Sequence, residues 1–242
     1  MHFTSEQHLE NGLVERQFIV GDIPGILWTP LSSPAPLILM GQPGGLQSMR
    51  PRLAARALRS AADGFATAAI ELPGGGDRPP LAELEKARAD LRRALATREP
   101  VEGIVDRLVL PLVELAVPES QATLTELLAL DELHGPVGYS GGPVAIGVRL
   151  AHVEPRIAAV GLFAGNFVPT VIRDEARRVT IPAHVLLQWD DEDNNRQQAL
   201  DLFDALGSRE KTLQANLGGH MGVPPFAGDD AARFFARHLG QA

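Results

Sequence analysis

The run Gly138-Tyr139-Ser140-Gly141-Gly142 follows a short apolar strand pattern, GPVGY, and precedes a helical one, PVAIGVRLA. A serine flanked by glycines at a strand-to-helix turn suits nucleophilic chemistry, because small neighbours let the backbone turn sharply and expose the hydroxyl. The same reading puts Ser140 at a helix N-terminus, where unpaired N–H groups and the helix dipole favour the negative charge of a tetrahedral oxyanion. Alone, the pattern also fits a glycine-rich turn whose serine merely caps the helix. The chemical reading therefore needs an acid and a base downstream, in the order serine, acid, histidine.

Both are found. The run Trp189-Asp190-Asp191-Glu192-Asp193 succeeds the apolar strand pattern AHVLLQ, where a loop at a strand end would present a carboxylate. Adjacent acids repel one another, so a plain solvated turn seldom collects them. Asp191 is favoured as the acid by its distance past the strand end; Asp193 and Asp190 are the alternatives, and helix capping accounts for the others. His220 stands in Leu217-Gly218-Gly219-His220-Met221-Gly222, between the last strand pattern and the last helical one, where glycines let an imidazole be aimed. His2, His8, His134, His152, His184 and His238 lie in the polar N-terminus or in and beside regular elements, and are read as ordinary.

An oxyanion needs two backbone donors. Gly141, after the serine, is one candidate. The loop Gly41-Gln42-Pro43-Gly44-Gly45 supplies the second: Pro43 has no N–H, so Gly44 is chosen, with Gln42 as a substitute. The expected chemistry is attack of Ser140 on a carboxylic ester of a small molecule, with His220 as general base, Asp191 fixing its tautomer, and an acyl-enzyme resolved by water. The run Gly74-Gly75-Gly76-Asp77 lacks the lysine of a phosphate loop and is read as a turn near the rim of the site.

Positioning these loops requires a sheet. Residues 14–20 and 24–29 read as an antiparallel hairpin, and PLILM at 36–40 as a strand buried on both faces. Helix 49–62 and strand 66–72 follow, the alternation of a parallel sheet. From 79 to 133 no strand pattern occurs; apolar residues recur at helical spacing, and Pro100, Pro111 and Pro118 are expected to divide the block into three helices, a cap or flanking layer. Strand 135–139, helix 141–152, strands 157–164 and 182–188, helix 195–206, strand 210–215 and helix 225–239 complete the pattern. The mixed-sign series from Glu83 to Arg93 reads as a solvated helix face.

The chain has 242 residues, 45% hydrophobic and 21% charged, which suits one α/β domain spanning residues 1–242. Twenty-two basic against 30 acidic residues give a net charge of −8, which disfavours nucleic acid as a partner. The absence of cysteine rules out disulfides, thiolate metal sites and a cysteine nucleophile. A polar N-terminus and the lack of a long apolar run lead to the expectation of a cytoplasmic protein without membrane contact, a monomer or homodimer.

With GYSGG, QWDDED and GGHMGVP in place, the chain resembles the α/β-hydrolase superfamily, and within it dienelactone-hydrolase-like and bacterial serine-esterase-like proteins. The likeness runs from the strand before Gly41 to the last helix. It implies an α/β fold with a mostly parallel sheet of about eight strands flanked by helices, a triad of Ser140, Asp191 and His220, and acyl transfer without metal or organic cofactor. Many relatives carry His-Gly where this chain has Gln42-Pro43, and dienelactone hydrolases proper use a cysteine. A lyase, cyclase or epimerase using His220 and the oxyanion donors is the alternative expectation, and a non-catalytic binding protein the third.

Overall fold

The computed structural model describes residues 1–9, 12–32, 34–164, 167–192 and 195–240. The chain begins with a polar strand, β1 (His2–His8), which pairs antiparallel with β2 (Leu13–Val20); β2 and β3 (Ile23–Pro30) form the expected hairpin. Strand β4 (Ala35–Gly41) leads into helix α1 (Leu46–Ala62) and strand β5 (Ala66–Ile70). Two helices follow, α2 (Ala82–Thr97) and α3 (Glu102–Leu127). Then come β6 (Leu133–Gly141), α4 (Val144–Val153), β7 (Ile157–Phe163) and α5 (Thr170–Ala176). Strand β8 (Ala183–Gln188), helix α6 (Arg196–Ala205), strand β9 (Lys211–Asn216) and helix α7 (Pro225–Leu239) end the series.

Among the described residues the strands form one nine-stranded sheet in the order β1-β2-β3-β5-β4-β6-β7-β8-β9. Pairing is antiparallel as far as β5 and parallel from β5 to β9. The ninth strand is β1, whose HFTSEQH carries no alternation of apolar and polar residues; it is held at an open edge by ladder hydrogen bonds and by Arg16 over the Phe3 ring, and all of it is exposed.

Side chains alternate between the two faces of the sheet. Ile38, Met40 and Ala159 face α1 and α7, packing with Leu53, Phe235 and Leu239. Leu37, Leu39, Val137, Tyr139, Val160 and Leu162 face the other way, into the larger core shared with α3 to α6. This alternation fixes the direction of the residue after Tyr139.

The block from 79 to 133 forms two helices instead of three. Pro111 and Pro118 lie inside α3, although each removes a backbone donor and crowds the preceding turn. The helix continues because its buried face is continuous through both positions, from Val105 through Leu112, Val113, Ala116 and Val117 to Leu124 and Leu127. Tertiary burial here overrides local propensity. Among the described residues no helix is long and apolar enough to cross a membrane.

Candidate active site

The parallel strands deliver their loops to one edge of the sheet, where open α/β sheets bind ligands. The loop after β8 carries Asp191, and the loop after β9 carries His220. Nδ1 of His220 lies 2.7 Å from Oδ2 of Asp191, whose side chain is almost wholly buried. With Asp191 ionised, Nδ1 is the protonated nitrogen and donates, which leaves Nε2 as the basic atom. Nε2 makes no hydrogen bond among the described residues, and the ring is 37% exposed. Phe163, at the end of β7, meets the imidazole edge to face, with centroids 5.2 Å apart. The carboxylate and the aromatic ring together set the plane of the base.

The neighbouring acid has a different task. Asp190 accepts hydrogen bonds from the N–H groups of Gly218 at 2.9 Å and Gly219 at 3.0 Å, and Gln188 Nε2 donates to the Gly219 carbonyl at 2.7 Å. These bonds hold the loop that bears His220. Gly218 and Gly219 have φ of 125° and 66°, a backbone that favours glycine, so the padding around the histidine is required by the turn itself. The amide of Gly219 above all, then that of Gly218, keeps the Asp190 carboxyl below the usual carboxylate range. Asp193, the other alternative, lies outside the described residues.

Ser140 is not brought to this pair. It still belongs to β6, opposite Met40 of β4 and Gly161 of β7. Its side chain follows the alternation of the strand onto the α1 and α7 face, opposite to Tyr139. There Oγ accepts a hydrogen bond from Nη2 of Arg56 at 3.0 Å, and the same nitrogen donates to the Ser140 carbonyl at 2.9 Å. Among the described residues no hydrogen bond joins Ser140 to His220.

The sharp turn comes later, at Gly141-Gly142-Pro143. Gly141 has φ of 123° and still pairs with Gly41 and Leu162, while α4 begins only at Val144, with Pro143 as its N-cap. The residue before a proline is pushed out of the helical region, so no helix could start at Gly142. Pro143, at the N-cap of α4, carries no nucleophilic atom. The unpaired amides at the start of α4 are those of Val144 and Ala145, not that of Gly141.

These amides border a cavity of about 400 Å3. Its walls are the loop Pro43 to Gly45, the loop Leu72 to Gly76, the first turn of α4, and apolar residues of α2 and α3 including Leu91, Leu108 and Leu112. Gly44 thus lies where the glycine loop was expected to lie. Gln42 does not open there: it is buried, and its Nε2 donates to the Ile70 carbonyl at 3.2 Å. The three-glycine turn after β5 also lines this cavity.

Two contributors escaped the sequence reading. Glu71, buried just past β5, accepts the Leu46 N–H at 2.7 Å and so replaces the side-chain cap that Gly45 cannot give α1. Arg56 engages Ser140. Neither has a motif of its own; each was hidden in a helix face or strand end.

No protein-family model and no curated protein matches the chain. Among solved structures, a cold-adapted esterase from an Arctic intertidal metagenomic library, bound to PEG, is 24% identical, with a TM-score of 0.75 over 99% of this chain and 100% of its own. TT1662 from Thermus thermophilus is 15% identical, with a TM-score of 0.70 over 93% of this chain and 97% of its own. Acetyl xylan esterase 1 from Thermoanaerobacterium sp. is 13% identical, with a TM-score of 0.64 over 98% of this chain and 87% of its own. The architecture is the α/β-hydrolase fold.

Proposed function

We propose that the chain is a hydrolase for carboxylic esters of small molecules, in which His220 is the general base, Asp191 orients it, and the amides of Val144 and Gly44 receive the oxyanion. The observation that carries this reading is the 2.7 Å bond between His220 and Asp191, made by two separate loops, with Nε2 making no hydrogen bond among the described residues. The esterases of the same fold favour ester over other acyl bonds. The whole chain acts as one unit, with α2 and α3 as a wall of the substrate cavity.

Water is the nucleophile in this reading. Nε2 of His220 removes a proton as the water oxygen adds to the carbonyl carbon, and the electron pair of the C=O bond moves to oxygen. Two N–H groups and the dipole of α4 stabilise that oxyanion. The tetrahedral adduct then expels the alkoxide, which takes its proton back from the imidazolium; Asp191 stabilises the imidazolium throughout. Ser140 takes no part in this reading, since its hydroxyl engages Arg56.

A panel of p-nitrophenyl esters from acetate to octanoate tests the proposal. His220→Ala is expected to lower kcat/KM by about 10²–10⁴-fold, the contribution of one general base. Undiminished turnover in that variant would refute it. Covalent labelling of Ser140 by a fluorophosphonate would instead return the reaction to an acyl-enzyme, with the serine swung out of the contact described above. The lack of a hydroxyl at the start of α4 also favours a second reading, a lyase or epimerase using the same base. Release of equal amounts of acid and alcohol excludes it.

A further inference from the structure

A second cavity, of about 80 Å3, lies on the opposite face of the sheet between α1 and α7. Its polar lining is Arg56, Arg59, Ser60, Asp63 and Ser140; Phe65 and Phe235 are among its apolar walls. A guanidinium is always protonated, and one that is partly buried gains from an anionic partner. Arg56 is half-buried and Arg59 exposed; neither forms an ion pair among the described residues, although most arginines packed on this fold do, as Arg78 with Glu119 and Arg149 with Glu175. Arg56 satisfies one nitrogen through Ser140, and its Nε and Nη1 have no acceptor among the described residues. Burial above all pulls its pKa down to about 10; Tyr139 opposes the shift, and Arg52 and Arg59 add to it.

Charge and shape define what would fit. Two guanidinium groups and one carboxylate leave 2 − 1 = +1 inside the lining. A monoanion balances that, and a planar one matches the fork of a guanidinium. The phenylalanine walls suit a short hydrocarbon stub, and the volume holds only a few heavy atoms.

We propose that the cavity between α1 and α7 is a binding site for a short-chain carboxylate, gripped by Arg56 and Arg59 with its carbon tail against Phe65 and Phe235. Neither His220 nor Asp191 lines this cavity, and the proposal does not depend on the hydrolase reading. Ser140 acts here as the residue that presents Arg56, through both its hydroxyl and its carbonyl.

The test is thermal unfolding of the full chain against propionate, chloride and phosphate at constant ionic strength, with calorimetric titration of propionate. Propionate at about 100 times its Kd is expected to raise Tm by on the order of 5–10 °C, while chloride at the same ionic strength does not. Arg59→Gln is expected to fold and to lose this rise; Arg56→Gln is expected to lose it too. Arg92→Gln, on the exposed face of α2, is expected to keep it. The proposal is overturned if propionate leaves the wild-type Tm unmoved, if chloride or phosphate raises it equally, or if Arg59→Gln responds like the wild type.

Discussion

Replacing Ser140 by alanine separates a structural serine from a catalytic one, because the two roles predict opposite profiles. Structurally, the change removes one hydrogen bond from a charged donor, Arg56 Nη2 to Oγ at 3.0 Å, while the bond from the same nitrogen to the Ser140 carbonyl at 2.9 Å remains. Alanine fits the extended backbone of β6 without crowding, since the nearest face of β7 is Gly161. Arg56 also opens onto a cavity that water can enter, so its charge is not left wholly unsolvated. The cost is about 1–2 kcal/mol, the lower part of the range for a bond to a charged group. For a chain of this length that corresponds to a fall in Tm of about 2–8 °C. Turnover should stay at the wild-type level, whereas loss of a true nucleophile removes several orders of magnitude in kcat. Steady-state kinetics on a p-nitrophenyl ester, together with circular dichroism melting, read both axes. A variant that melts with the wild type yet has lost turnover would show that the hydroxyl reaches the substrate and that the contact with Arg56 is not its working state.

Other perturbations probe the elements around the site. Asp190→Ala removes the acceptor of two loop amides, so His220 should lose its aim; kcat is expected to fall by up to about 100-fold with KM little changed, as Michaelis kinetics would reveal. His184, buried against Phe234 with Nδ1 2.9 Å from Thr212 Oγ1, has its pKa lowered, by desolvation first and despite nearby Asp230. Its folded state resists protonation, so the stability it contributes is complete above the ordinary pKa of about 6.5 and declines as pH falls from there towards the depressed folded value. His184→Gln should flatten that part of a plot of Tm against pH. Gly147→Ala would place a Cβ 2.5 Å from Tyr139 Cε1 and 2.8 Å from Leu162 Cδ2, lifting α4 from the sheet; a loss of about 1–3 kcal/mol by urea unfolding is expected.

The sequence disclosed whatever depended on patterning. Apolar runs bounded by glycine and proline announced β4, β5, β7 and β8, because strands buried on both faces must be continuously apolar. Asp191 could be picked out because it stands just past such a run, and His220 because it follows the last strand pattern in a glycine-rich loop, where chain direction dictates which edge a loop will reach. What stayed hidden depended on partners distant in sequence. The polar strand β1 exists because β2 offers it an edge, α3 survives two prolines because its face is buried, and Arg56 looks like any helical arginine until β6 lies beneath it.

The register of the turn after β6 is the most instructive case, since its deciding residue was visible from the start. The pattern glycine, any residue, serine, any residue, glycine invites a break at Ser140, but it specifies composition and not where the ladder stops. Pro143 does specify it. By forbidding a helical conformation at Gly142 it delays α4 to Val144, and the intervening residues carry β6 onward past the serine. Once the strand runs through Ser140, alternation alone turns the hydroxyl to the face opposite Tyr139, towards Arg56 and away from the cavity bordered by Val144. Restoring a hydroxyl at the turn is then the constructive counterpart of deleting Ser140. Pro143→Ser would put an oxygen at the N-cap of α4, beside the amides of Val144 and Ala145. If the edge geometry is as described, that variant should gain reactivity towards a fluorophosphonate that Ser140 lacks, and the gain should vanish when His220→Ala is added. Labelling confined to Ser140 in both backgrounds would mean that the strand, not the turn, holds the nucleophile.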